Sequence, residues 1–178
     1  MKIVFKRVKQ FITAVSAKIN GDDLSFINSY LSLEEQKLFW CMNVPEQRHA
    51  LDVAYTAGKL AEAYAGIDRR LLLKSALLHD VGKVRGDISI PGKVITVIGD
   101  TVCPRWTRRL AREGRGGVIS NLRHAFYIYY NHAARGADML TGDGAQREVG
   151  ELVRRHHEPV SEQDAPELKL LKIADDLN

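Results

Sequence analysis

One stretch restricts the fold more than any other: Leu71-Leu72-Leu73-Lys74-Ser75-Ala76-Leu77-Leu78-His79-Asp80-Val81-Gly82-Lys83. Its apolar residues form a buried helical run that carries a His-Asp pair at its end and then breaks at a glycine. An imidazole and a carboxylate delivered together by a buried helix can hold a metal ion. They can equally be a core histidine hydrogen-bonded to its neighbour, and this stretch alone leaves both readings open.

The surroundings are helical by the same criteria. With 178 residues and 45% apolar content, the chain fits one domain with a sizeable core. Its first 20 residues carry Lys2, Lys6, Arg7, Lys9 and Lys18 without an acid. They place Val4, Val8, Phe11, Ile12 and Val15 at helical spacing, as an amphipathic helix packed on the domain or lying on an anionic membrane surface. This start lacks the apolar core of a signal peptide, and no run approaches the roughly 20 apolar residues of a membrane span. Cys41 and Cys103 form no pair framework and read as reduced thiols, so the expected location is cytoplasmic.

Gly21-Asp22-Asp23 reads as the end of that helix, followed by a short apolar stretch to Leu31. Ser32 with Glu35 is a capping-box signature that opens a helix through Leu38, Phe39 and Met42. Pro45 suits the first turn of the next helix. Ala50, Val53, Ala54, Ala57, Leu60, Ala61 and Tyr64 form the buried stripe of that helix, Gly66 stops it, and His49 lies at the stripe's edge. Asp68 is the expected N-cap of the helix carrying His79. The region 85–117 is the least regular, with Val94-Ile95-Thr96-Val97-Ile98 read as helix or packed loop. Helical spacing returns from Ile119 to Leu140 with His132 aboard. A turn at 141–144 precedes a helix with Leu152, Val153, His156 and His157, and a last helix bears Leu168, Leu171, Ala174, Asp175 and Leu177. The expectation is an all-α protein in which residues 1–44 extend a domain of residues 45–178.

His49, His79, Asp80, His132, His156, His157 and Asp175 thus sit at or beside apolar helix faces, where polar side chains are normally excluded. Five histidines and two aspartates aimed at one small core are costly unless something binds them. Imidazole and carboxylate without thiolate suits Fe, Mn, Co, Ni or Zn and argues against a thiolate zinc site. Seven ligands are too many for one tetrahedral ion, whereas two ions sharing a carboxylate would use them all. Such a pair activates water and neutralises phosphate oxygens.

In this order, His49, His79-Asp80 and Asp175 resemble the signature of the HD-domain metal-dependent phosphohydrolase superfamily, whose fold is a helical bundle. The resemblance covers roughly residues 45–178, and its most recognisable element is His79-Asp80-Val81-Gly82-Lys83. His132-Ala-Ala-Arg-Gly136 with His156-His157-Glu158 is similar to the additional metal-binding elements of HD-GYP phosphodiesterases and of HD-type dinucleoside tetraphosphate hydrolases. The resemblance implies one metal at His49, His79, Asp80 and Asp175, and a second at His132, His156 and His157 with Asp80 bridging. It also implies a phosphate-contacting Lys83. The Gly-Tyr-Pro element is absent, with Pro159-Val160-Ser161-Glu162 in its place. Pro45 stands where some members place a third-metal glutamate. Neither a third metal nor cyclic di-GMP as substrate is therefore implied.

Residues 105–115 hold Arg105, Arg108, Arg109, Arg112 and Arg115 against Glu113, in a chain whose net charge is +4. Such a run is a solvated helix face, or a flap in which Arg105, Arg108 and Arg109 contact substrate phosphates, or a surface for nucleic acid or anionic lipid. Trp106 among them could stack on a base or anchor at a membrane interface. His124, two helical turns before His132, reads as structural. Two function classes result. One is a hydrolase of a phosphomonoester or phosphodiester, expected to be a nucleotide or dinucleotide, with Asp80 and Lys83 at the reacting centre. The other is a non-catalytic metal-binding sensor or scaffold that binds a partner through its basic face.

Overall fold

The computed structural model describes residues 18–140 and 144–178. The expected helix at residues 4–15 and most of the turn at 141–144 lie outside them. Among the described residues there are nine helices and no strand, apart from an isolated antiparallel bridge between Met42 and Val84. No described helix is long and apolar enough to cross a membrane.

The first difference from the sequence reading comes at Gly21, which begins a helix instead of ending one. Helix α1 (Gly21–Tyr30) opens because Asn20 and Asp23 close a reciprocal capping box, each side chain accepting the other's backbone N–H at 2.9 Å. The Asp23 carboxylate then takes Arg48 Nη1 at 2.8 Å and the Tyr55 hydroxyl at 2.8 Å, tying α1 to the third helix. Helix α2 (Leu33–Cys41) starts at the expected Ser32–Glu35 box, and Lys74 donates to Glu35 at 2.8 Å.

Helix α3 (Val44–Ala61) and helix α4 (Arg69–Leu78) form the central pair. Pro45 lies in the first turn of α3 and Asp68 caps α4, its carboxylate accepting the Leu71 N–H at 2.9 Å. α3 stops short of its expected end near residue 65. Glu62, Ala63 and Tyr64 bond to carbonyls three residues back instead of four, so the last turn tightens and leaves Tyr64 exposed outside the buried stripe.

Helices α5 (Ile90–Val102) and α6 (Pro104–Leu110) occupy the irregular region and pack on α7 (Val118–Met139). α8 (Ala145–Arg155) packs on α7 and α4, and α9 (Pro166–Leu177) on α3 and α4. The core between them is aliphatic: Leu51, Val53, Leu72, Leu73, Leu77 and Leu78 meet Val153, Leu168 and Leu171. By the transfer relation, each such side chain contributes about 1.5–3 kcal/mol when fully buried.

Two glycines decide where the His-Asp turn lands. Gly82 rests directly on the α7 backbone, and a Cβ there would overlap the His132 carbonyl oxygen and crowd Gly136 N at 2.8 Å. Gly136 faces it, and a Cβ there would sit 3.1 Å from Gly82 N. The pair lets the turn after α4 lie flush on α7, which brings Asp80 to His132. Gly82→Ala should therefore destabilise the protein by about 1–3 kcal/mol, the usual cost of overpacking. Gly116→Ala, which meets nothing within 4 Å, should stay within about 0.5 kcal/mol of wild type. Urea unfolding in the presence of a chelator checks both, and equal stability of the two variants would contradict the packing argument.

Candidate metal centre

Five helices deliver the seven candidate ligands. His49 lies on α3, His132 on α7 and Asp175 on α9, while His79-Asp80 and His156-His157 occupy the first positions beyond α4 and α8. The carbonyl ends of α4 and α8 thus abut the pocket, and a helix C-terminus favours a cation.

The residues fall into two groups whose potential ligand atoms lie within 4.8 Å of one another: His49, His79 and Asp175, and Asp80, His132, His156 and His157. Two donors to one ion stand about 4.4 Å apart at most when each bond is about 2.2 Å, so little movement closes either group on an ion. In the first group His49 Nε2 is 3.0 Å from Asp175 Oδ1, and His79 Nε2 is 3.6 Å from the same oxygen. In the second, His132 Nε2 lies 3.3 Å from Asp80 Oδ1 and 2.8 Å from His157 Nε2. Asp80 stands between the groups, since its Oδ2 is 3.6 Å from His79 Nε2. The rings of His79 and His156 also meet across the boundary, with centroids 5.1 Å apart.

Backbone carbonyls orient the imidazoles. His79 Nδ1 is 2.8 Å from Ala76 O, His132 Nδ1 3.0 Å from Tyr129 O, and His156 Nδ1 2.6 Å from Val153 O. Each Nδ1 carries the proton to donate to its carbonyl, which leaves Nε2 as a lone pair facing the pocket, the arrangement found around metal-bound histidine. His79 Nε2, His156 Nε2 and Asp80 Oδ1 are buried with no hydrogen-bond partner among the described residues. Lys83 Nζ is 2.7 Å from Asp80 Oδ1 and 2.8 Å from Oδ2, but only the Oδ2 contact has hydrogen-bond geometry. Two partnerless imidazole nitrogens converging on a carboxylate whose one cation is Lys83 are costly. Divalent cations remove that cost, so the residues fit a metal centre.

Protonation states agree. Burial alone would raise the Asp80 carboxyl, but Lys83, His79 and His132 outweigh it and hold the group well below the usual carboxylate range. Burial likewise opposes ionisation of Asp175, and the His49 hydrogen bond overcomes it and holds the carboxyl below the usual range. Desolvation pushes His156 well down, helped by His157 and His79, and pushes His132 down with Lys83. His157, whose outer edge is exposed at the mouth, is lowered by desolvation and by His132. His49 is the exception: burial lowers it, but the Asp175 hydrogen bond and Asp80 raise it above the ordinary range. Neutral imidazoles and ionised carboxylates are the forms that bind metal. Cys41 and Cys103 are exposed free thiols outside either group.

The arginines expected to contact substrate phosphates stand apart from this pocket. Arg105, Arg108 and Arg109 are exposed on α6, and the Arg108 guanidinium lies 5.2 Å over the Tyr130 ring. Tyr130 is two residues from His132, about 200° around α7, so α6 flanks the far side of that helix. Arg115 is held by Gly86 O at 2.9 Å and Asp87 Oδ1 at 3.0 Å. Arg135 Nη1 donates to Gly82 O at 3.1 Å and to Asp87, which fixes the His-Asp turn from behind. His124 is buried in this network, accepting the Gly114 N–H at 3.3 Å.

Sequence reasoning passed over Glu46 and Lys93. Glu46, one helical turn before His49, is buried, bonded to Lys93 of α5, and close enough to bias the Lys83 ammonium. The i−3 spacing from His49 was an available signal for Glu46; Lys93 had none.

Among curated proteins and solved structures, none is significantly similar to the chain. The family model described as HD domain does match, over residues 47–178, a span that begins just before His49 and includes Asp175 and every residue of both groups. On that match the chain belongs to the HD domain family, within the superfamily of metal-dependent phosphohydrolases.

Proposed function

We propose that the protein hydrolyses a phosphomonoester or phosphodiester of a nucleotide or dinucleotide, with two divalent ions as cofactors. One ion would be held by His49, His79, Asp80 and Asp175, and the other by Asp80, His132, His156 and His157. The observation that carries this reading is the position of Asp80, a buried carboxylate with His79 3.6 Å from one oxygen and His132 3.3 Å from the other. When bound, such a pair supplies Lewis acidity that activates water and neutralises phosphoryl oxygens.

The chain's own residues supply orientation and charge. Asp80 stays ionised without external help, because the Lys83 ammonium compensates it. Lys83 loses solvation in this setting, but Asp80 raises its ammonium above the ordinary lysine range, so it carries full charge at neutral pH. A quarter of its side chain is exposed (25%), which makes it the cation at the mouth that an incoming phosphate would meet. Glu46, paired with Lys93, adds a further negative charge that favours this ammonium. The nucleotide part of the reading rests on the similarity of His132 and His156-His157 to the ligands of dinucleotide-cleaving HD proteins.

The test is a phosphate-release and diester-cleavage screen over nucleotides and dinucleotides with Mn, Fe, Co, Ni or Zn. Asp80→Ala should abolish turnover and strip metal from the protein, because one carboxylate serves both groups. Lys83→Met should instead keep its metal and lose roughly 10²-fold in kcat, as for a lost charge-stabilising donor. A wild-type protein loaded with metal but inactive across the screen would favour the sensor reading. Full activity of either variant would contradict the roles assigned.

A further inference from the structure

Helix α5 is turned the wrong way round for a helix on a water-exposed surface. Three of its polar residues face the protein: Lys93 bonds Glu46, Thr96 is buried, and Asp100 accepts from the Tyr129 hydroxyl at 3.1 Å and the Tyr130 hydroxyl at 2.6 Å. Its aliphatic residues Ile95, Ile98 and Val102 recur at i, i+3 and i+7 on the outer side and are exposed, Val102 by 71%. α6 continues this face with Trp106, 61% exposed. Together with Leu122 and Phe126 of α7 they line an almost wholly apolar groove of about 590 Å³. Val118 and Ile119, exposed by 87% and 74%, lie one helical turn before Leu122 and extend the apolar face along α7.

The charge beside this face is of one sign. Residues 102–112 contain Arg105, Arg108, Arg109 and Arg112 and no acid. Arg105, Arg109 and Arg112 have no acidic side chain in contact among the described residues, and the nearby Asp100 is engaged by the two tyrosines. Aliphatic side chains, an exposed tryptophan and a row of unpaired arginines on one surface match a bilayer interface. There the aliphatic groups enter the acyl boundary, the indole sits at headgroup level, and the guanidinium groups meet anionic lipid. A second copy would oppose arginines to arginines across an isologous contact. The chain's own residues 1–17, with four basic residues and no acid, share that sign. Nucleic acid would satisfy the arginines but leave Ile95, Ile98 and Val102 in water.

We propose that the α5–α6 hairpin, with the start of α7, docks the protein on the surface of a bilayer containing anionic lipid.

Co-sedimentation of the full chain with phosphatidylcholine vesicles, with and without phosphatidylserine, tests this. Binding should require phosphatidylserine and weaken as salt rises. Replacing Arg105, Arg109 and Arg112 by Gln should weaken it roughly 100-fold, about fivefold per arginine. Val102→Asp with Trp106→Asp should abolish it at all salt concentrations. Both sites are exposed, so the far-UV spectrum and melting temperature should not change. In a Trp40→Phe background, Trp106 fluorescence should shift to the blue on adding the anionic vesicles. Absence of vesicle binding overturns the proposal, as does binding that these variants leave unchanged. A Val102- and Trp106-dependent dimer in sedimentation velocity without vesicle binding would assign the face to a second copy, and duplex oligonucleotide binding without vesicle binding would assign it to nucleic acid.

Discussion

A carboxylate buried among imidazoles must be compensated or it will not remain charged, and the architecture around Asp80 follows from that requirement. Lys83 supplies one positive charge three residues on, close enough to hold the group ionised. Backbone carbonyls of their own helices hold Nδ1 of His79, His132 and His156, which turns each Nε2 inward. Such a pocket is over-supplied with lone pairs and short of positive charge, the opposite of what a folded core prefers. The carbonyl ends of α4 and α8 face the same pocket and add negative potential that a bound cation would offset. Gly82 and Gly136 are the steric side of the same constraint, because only bare backbone lets the turn carrying Asp80 reach His132.

The two groups of candidate ligands were legible in the sequence because each member violates a local rule. A histidine or aspartate on an apolar stripe has no business there unless something in the core needs it, and seven such violations on five helices cannot be independent. Capping chemistry was legible for the same local reason at Ser32–Glu35 and Asp68. It failed at Asn20, where a capping box built from Asn and Asp looks like a breaker followed by acids, and α1 went unread.

What stayed hidden is held together over long sequence distances. Glu46 finds Lys93 and Asp87 finds Arg135, each pair more than 40 residues apart, and neither partner stands out from its neighbours. α5 was ambiguous for another reason: its period is helical, but its apolar side is turned outward and its polar side inward, so burial could not be inferred from hydrophobicity. The arginines of α6 were read as a lid from their place in the chain between metal-bearing helices. Their position depends on which side of α7 the hairpin packs, and the tyrosines that anchor it, Tyr129 and Tyr130, gave no sign of that.

The central claim is that Asp80 is shared by two metal sites. Anomalous diffraction from a crystal of the manganese-loaded protein measures this directly. The account predicts two peaks about 3.5–4 Å apart with one oxygen of Asp80 bound at each, His49, His79 and Asp175 at the first, and His132, His156 and His157 at the second. A single peak, or two peaks with Asp80 bound to neither or to one alone, would contradict it.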